Sequence, residues 1–531
     1  MTDDSDPPPL PADDRALAPR SPADLALPRD DAATVLARGH LHPAVLLLRL
    51  LAALRQTAFP LFLGIAFEPW FLAAALGLFL LQLGAAVVRY LTLEYTLTIE
   101  ELRIREGLLH RQERRIPLDR IQDLAFESTL LRRALGLTVV LVETASGRGV
   151  EARLDALSRN DAEHLREVLL GARPAAAGAA PAAGDELATI EAPSAEPRGL
   201  EWLVHQSSAT ALLIRGATDL RLGAFVVTGY AAFELAEQLG FVTQLAGVAS
   251  SFRDWLSSLP PIVVLGVLAG LLFAVMAFGV ITSTLGNLVQ FHGFNLRLRG
   301  DVLQRRFGLL TTRQKTLPRA RIQRVTIEQT WLRRLLGYAV VKADSAGGSR
   351  SDGQDATGGW DVVVPLARTN DAHALLPAML PGVERETFSW RRGSPRLIAR
   401  TAAQGVLLAA AAVPTLWWRA GPAALWALLA APLAAVLGVL IWRNLAWARG
   451  ADFFALQHGV IGRNFACVPT AKVQAVVVRQ GLVSQALGLA DLTVYVAGGS
   501  PTRIPDLTLA DARALQRDLA ARAAAAAAAD W

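Results

Sequence analysis

Cysteine is nearly absent from these 531 residues: there is one, Cys467. A lone thiol closes no internal disulfide, and no His or acid is grouped with it, so thiol and redox chemistry drop out. Between Ala466 and Val468 it reads as a small buried hydrophobe in a strand. Charge is also scarce, at 19% against 52% hydrophobic residues, with a mean hydropathy of +0.33. Soluble chains of this length rarely average so apolar, which predicts that part of the chain faces lipid. The sequence lacks G-x-x-x-x-G-K-[ST], H-E-x-x-H, C-x-x-C and G-x-S-x-G. Its eight histidines are scattered, and the pair His40 and His42 has no further ligands nearby. Asp344, Asp352 and Asp355 do not keep a calcium-loop spacing. No enzyme, cofactor or metal is therefore expected. Nucleic acid is not expected either, because no set of stacking aromatics accompanies the basic residues.

Long apolar runs are present. Ile262–Ile281 carries no charge, and Trp70–Val88 is broken only by Gln82. About 20 helical residues cross a bilayer core, so each is long enough to span. Thr401–Trp418 and Ala423–Trp442 form a close pair, with Trp390, Trp417, Trp418, Trp442 and Trp447 placed as a headgroup belt. Two weaker spans, Pro43–Phe67 and Leu222–Val248, contain Arg49 and Arg55, and Glu234 and Glu237. An Arg near a helix end can snorkel, which is the reading for Arg49. Six spans in three hairpins leave every large polar, Arg-rich segment and both termini on one side. With a net charge of +6 and a pI near 9.9, the positive-inside rule makes that side cytoplasmic.

After each hairpin comes the same grammar. Gly107, Pro117, Gln122 and Gly136 recur as Gly308, Pro318, Gln323 and Gly337, and again as Gly459, Pro469, Gln474 and Gly488. The spacings are 10, 5 and 14 residues in all three copies, so this is an internal repeat. Alternating, β-branched runs such as Thr138–Thr144 predict mostly strand. The first Gly of each copy is expected to take positive φ in a turn, the Pro to begin a strand, and the Arg/Lys-Ile/Val-Gln step to turn its polar residues outward. These are fold-setting positions. A short capped helix closes each copy, at Asn160-Asp161, Asn370-Asp371, and Thr508 with Asp511. The expected division is a disordered leader (1–40), hairpin 1 (41–93), β-domain 1 (94–171), an Ala/Pro linker (172–200), hairpin 2 (201–292), β-domain 2 (293–381), hairpin 3 (382–448), β-domain 3 (449–520) and an Ala-rich tail (521–531). Ser345–Gly359 is a loop insertion in the second copy.

A membrane helix hairpin followed by a β-domain with Gly, Pro, Arg-Ile-Gln and Leu-Gly-Leu at these spacings resembles the bacterial pleckstrin-homology-like (bPH2) membrane proteins, in their threefold YdbT type. The resemblance covers about residues 41–520; His42-Pro43 and Val204-His205 match the motif ahead of the hairpins, and Ser394-Pro395 departs from it. It implies an α+β membrane protein in which each hairpin is followed by a small PH-like β-barrel or sandwich with a C-terminal helix. It also implies a bacterial inner-membrane location and a role in envelope maintenance or stress defence rather than metabolism.

Arginine is the residue above background. Arg114, Arg115, Arg120, Arg132 and Arg133 in the first domain, and Arg319, Arg321, Arg333 and Arg334 in the second, form a candidate surface for anionic lipid headgroups. Retention of positive charge on the cytoplasmic side would leave the same arginines whatever the protein does. The third domain lacks most of them. Membrane lipids and an unidentified membrane or cytoplasmic protein are the expected partners, the latter through strand addition at an exposed β-edge. The alternative is a transporter or channel component using Arg55, Arg215, Asp219, Glu234 and Glu237.

Overall fold

The computed structural model describes residues 35–66, 69–108, 111–144, 150–171, 201–219, 242–345, 362–497 and 501–529, with Tyr230, Glu234 and Glu237 also described. The Ala/Pro linker, the body of the insertion in the second copy and most of the span at 222–248 lie outside these residues. Each repeat opens with a strand ahead of its helices. In the first, β1 (Val35–His40) precedes helices α1 (Ala44–Ala66) and α2 (Pro69–Thr92), which pack together. Then come β2 (Glu94–Thr98), β3 (Glu101–Glu106), β4 (Gln112–Pro117), β5 (Ile121–Thr129), the one-turn helix α3 (Leu130–Ala134), β6 (Leu137–Thr144), β7 (Val150–Ser158) and α4 (Arg159–Gly171).

The second repeat follows the same order. Strand β8 (Glu201–Gln206) leads to α5 (Ala209–Thr218), α6 (Val242–Ser257) and α7 (Pro261–Phe291). These are followed by β9 (Asn295–Arg299), β10 (Val302–Phe307), β11 (Thr311–Pro318), β12 (Ile322–Gln329), α8 (Trp331–Leu336), β13 (Tyr338–Ser345), β14 (Val364–Arg368), α9 (Thr369–Ala374) and α10 (Leu376–Met379). The third has β15 (Ser389–Arg392), α11 (Arg396–Ala420), α12 (Ala430–Asn444), β16 (Ala446–Arg449), β17 (Phe453–His458), β18 (Arg463–Pro469), β19 (Val473–Arg479), α13 (Leu482–Ala486), β20 (Leu489–Val496), β21 (Thr502–Thr508) and α14 (Leu509–Ala529).

The leading strands revise the sequence reading. The expected leader ran through residue 40, yet Val35–His40 pairs along β2, and β8 and β15, placed within hairpins 2 and 3, pair with β9 and β16. Trp390 and Trp447 therefore do not belong to a headgroup belt. Trp447 is buried in β16, and Trp390 packs on Phe388 and Phe465. Among the described residues, three helical stretches are long and apolar enough to cross a membrane: Leu72–Thr92, Pro261–Phe291 and Arg396–Asn444. Helix packing uses small residues. A Cβ on Gly216 would lie 2.3 Å from the Thr284 Cα, and one on Gly405 2.6 Å from the Ala430 carbonyl oxygen.

The sheets do not respect the repeats. Strands β1-β2-β3-β4 form one sheet and β19-β20-β21 another, but the two between them have seven strands each, in the orders β7-β6-β5-β11-β10-β9-β8 and β14-β13-β12-β18-β17-β16-β15. The second half of each domain is thus hydrogen-bonded, edge to edge, to the first half of the next. The largest core follows suit, mixing Phe294, Leu303 and Val341 with Phe465 and Cys467. Cys467 is fully buried there, and burial pushes its thiol up to about 12.

Two fold-setting expectations need correction. Pro117, Pro318 and Pro469 end strands and enter a one-turn 3₁₀ helix, which their fixed φ suits, instead of beginning a strand. Gln323 faces inward, not outward, at a bulge between Ile322 and Arg324, and its amide donates to the Arg321 carbonyl at 3.2 Å; the same bulge between Val473 and Ala475 leaves Gln474 outside, so the packing around β12 makes the difference. Gln474 is exposed, as expected. The helix caps are Ser158, whose hydroxyl accepts from the Asp161 N–H at 3.1 Å, and Thr508, which accepts from Asp511 at 3.1 Å. Asn160 and Asn370 instead lie within α4 and α9.

Candidate membrane-facing site

The turn between β3 and β4, and its two copies, starts on a glycine with φ of +100°, +111° and +117° at Gly107, Gly308 and Gly459. In the first two copies it folds back on the preceding apolar helix. The Gly107 N–H donates to the Thr92 hydroxyl at 3.1 Å, Gly308 N–H to the His292 carbonyl at 2.9 Å and Leu309 N–H to the Val289 carbonyl at 2.9 Å. The apolar tips are left outside: Leu108 is 63% exposed and Ile461 72%, with Leu309 and Leu310 also exposed. The one-turn helices α3, α8 and α13 add a second exposed apolar set, comprising Leu130 and Leu131, Trp331, Leu335 and Leu336, and Leu482.

Backbone contacts bring these sets together between repeats. The Leu130 N–H donates to the Leu310 carbonyl at 2.8 Å. Arg133 reaches the Thr312 hydroxyl at 2.7 Å and the Leu309 carbonyl at 3.2 Å, and Arg334 reaches the Val460 carbonyl at 2.9 Å. Arg133 and Arg334 therefore hold neighbouring repeats together. Arg333 is buried, donating to the Thr218 hydroxyl at 3.0 Å and pairing with Asp219 at 3.6 Å. Arg132 is half-buried, and burial lowers its pKa first, with Arg153 and Arg49 adding to the effect against Asp155 and Glu127. Arg319 is largely enclosed by Asp301 at 3.3 Å and the Pro377 carbonyl at 3.2 Å; Arg321 is half-buried. Only Arg114, Arg115 and Arg120 of the nine remain well exposed alongside Arg133 and Arg334. The nine do not form one surface.

Sequence reasoning missed a cleft of about 140 Å³ between the first two repeats, where Arg133, Arg159 and Arg306 converge with Ser128, Thr312 and Gln314. It also missed a clamp repeated three times. An arginine on the first helix of each repeat reaches the last strand: Arg49 to the buried Asp155 at 2.8 Å, Arg215 to the Pro365 carbonyl, and Arg400 to the buried Asp506 at 2.8 Å. Burial alone would raise the Asp155 pKa, but Arg153, Arg49 and Arg89 hold it below the usual carboxylate range. Arg215 also donates to Asn287 at 2.9 Å and sits 4.4 Å over the Phe291 ring. Arg49 thus makes a fixed contact instead of snorkelling freely. Aligning the helices, as well as the β-domains, would have exposed the recurring arginine.

A chain with apolar membrane-length helices and three linked PH-like β-units is a repeat membrane protein, and it belongs to the Bacterial PH domain family, which matches residues 46–173, 242–381 and 403–523. It is 25% identical over 488 residues to the UPF0699 transmembrane protein YdbT of Bacillus subtilis (strain 168), covering 89% of this chain and 94% of that protein. No solved structure matches it.

Proposed function

We propose that this chain is a non-enzymatic module of the bacterial inner membrane, with three helix hairpins, cytoplasmic termini and three PH-like domains resting on the cytoplasmic leaflet. The observation that carries the reading is the recurrence in each repeat of exposed apolar residues on the turn and the one-turn helix (Leu108, Leu309, Ile461, Trp331, Leu482), joined at the two junctions by Arg133 and Arg334 and, in the first two copies, bonded to the end of the apolar helix. Apolar side chains enter the headgroup boundary, and arginines beside them meet phosphate, each contributing about 1 kcal/mol near an anionic surface. The cleft of Arg133, Arg159 and Arg306 also holds Glu163, which pairs with Arg159 at 3.2 Å, so a headgroup phosphate there would meet a net positive lining and not an unopposed cluster of guanidinium groups. At the far end of the second domain the turn carries Asp301, 84% exposed, the charge an anionic leaflet repels. A role in envelope maintenance or stress defence rests on the resemblance to this family. The transporter alternative is weakened because Arg215 and Asp219 are committed to holding a helix to its domain.

The test uses the whole chain in vesicles, with an environment-sensitive dye on Leu108→Cys, Leu482→Cys or Asp301→Cys. Cys467, buried, stays unlabelled. Dyes at Leu108 and Leu482 are expected to be quenched by brominated lipids, more so in anionic vesicles and less in high salt, while the dye at Asp301 stays unquenched. Equal quenching in neutral and anionic vesicles would reject headgroup recognition.

A further inference from the structure

Two junctions join the three repeats, and they share one register. Counting from the repeat's Gln on one strand and its Pro on the other, Phe126, Glu127 and Ser128 (4, 5 and 6 residues after Gln122) face Gln314, Arg313 and Thr312 (4, 5 and 6 before Pro318). In the second junction Ile327, Glu328 and Gln329 face Phe465, Asn464 and Arg463 at the same offsets. The arginine clip repeats too: Arg133 and Arg334 each stand 11 residues after the Gln and reach the carbonyl 9 before the next Pro. A contact built twice with one register is a property of the repeat.

The series leaves two edges over. Strand β4 occupies the place of β11 and β18, and β19 that of β5 and β12, yet among the described residues β4 pairs only with β3 and β19 only with β20. We propose that copies of this chain join head to tail, β19 of one against β4 of the next, continuing the junction its own repeats use. The shared register sets Val478, Arg479 and Gln480 against Glu113, Gln112 and Arg111 of the neighbouring copy. No two like charges face each other, and Gln485, in the place of Arg133 and Arg334, is a donor facing the Leu108 carbonyl. The polar character of β4 is no bar, since β11, with Thr311, Thr312, Arg313, Gln314 and Lys315, is as polar and is paired. Helix α14 packs on β19, and its Gln516 amide donates to the Val476 carbonyl at 2.9 Å in the middle of the strand, the offset at which the second junction already pairs Val325 with Cys467; the proposed contact therefore takes the shorter span of the first junction, which begins 4 residues after its Gln. Such a contact is heterologous, so it closes a ring or runs on as a file of molecules in the membrane plane.

The experiment is disulfide trapping of the full chain in vesicles. Gln112→Cys and Arg479→Cys in one chain should give a ladder of dimers, trimers and larger species under mild oxidation, since directly opposed residues place their Cβ atoms within disulfide reach. Each single variant, and Arg115→Cys with Arg479→Cys, should stay monomeric. Maleimide labelling of a parallel, unoxidised sample under denaturing conditions verifies that both introduced thiols are reduced and reactive. A double variant whose parallel sample labels fully, and which gives no ladder when oxidised unlabelled, overturns the proposal. So do dimers from Arg479→Cys alone, which indicate a twofold β19 contact, and a cross-link in cells to a polypeptide of different mass.

Discussion

At Gly308 the backbone is at φ +111°, and a Cβ there would lie 2.0 Å from the Thr311 carbonyl oxygen. Both strain and collision oppose any side chain, so Gly308→Ala should lower stability by about 1–3 kcal/mol. Gly136→Ala, at φ +68° in open space, should lose about 1 kcal/mol from conformation alone. Denaturation midpoints of the two variants in one detergent check the order. His373 gives a pH prediction: burial first, then Arg385 and Arg463, pushes its pKa down to about 4, and its ring stands edge-on to Phe465 across the second junction. The folded chain keeps the imidazole neutral while the unfolded chain takes a proton near the ordinary value of about 6.5. Stability is therefore full above that value, declines as pH falls toward about 4 and flattens below. Thermal midpoints between those limits should fall less in His373→Phe than in the parent. The glycines were legible because positive φ needs a residue without Cβ. The inward Gln323 was not, because the same step at the same bulge leaves Gln474 exposed, and only the surrounding packing separates the two.

The elements show where periodicity informs and where it does not. Strands such as β6 and β20, and the long apolar helices, announce themselves by composition. The leading strands β1, β8 and β15 do not, since four to six residues of ordinary polarity acquire their partner from across a helix pair. Nor did Arg133 and Arg334 look different from lipid-facing arginines. A guanidinium bonded to a carbonyl of the next repeat is distinguished only by that non-local contact. Arg334→Ala should accordingly speed amide exchange in β12 and β18 while leaving β2 and β3 unchanged, as hydrogen-exchange mass spectrometry would reveal. At the other end of each unit, Arg49→Leu removes one of the cations at Asp155, whose side chain is 6% exposed, and should cost about 1–3 kcal/mol. Asp155→Leu together with Arg49→Leu should recover part of that loss.

Seen whole, the chain is a file of half-sheets in which each domain completes its neighbour, so stability is carried largely by nearest-neighbour interfaces. Residues 293–381 alone would leave β9, β11 and β12 each without a partner it has here, three newly open edges on one small domain. That fragment, with more open edges than the full chain, should self-associate at lower concentrations than the full chain in detergent, as light scattering would register. The threefold repeat was legible from spacing, because ten, five and fourteen residues recur unchanged. The sharing of sheets was not, since nothing local to β5 says that its second neighbour is β11. That arrangement also imposes an order on biosynthesis. Thr311 follows Thr129 by 182 residues, so a ribosome adding about 5–20 residues each second leaves β5 waiting some 10–40 s for its partner, while the intervening helices must reach the bilayer. During that interval the edge of β5 is exposed, and Glu127, Ser128 and Thr129 beside Phe126 make it a largely polar edge and a poor seed for aggregation.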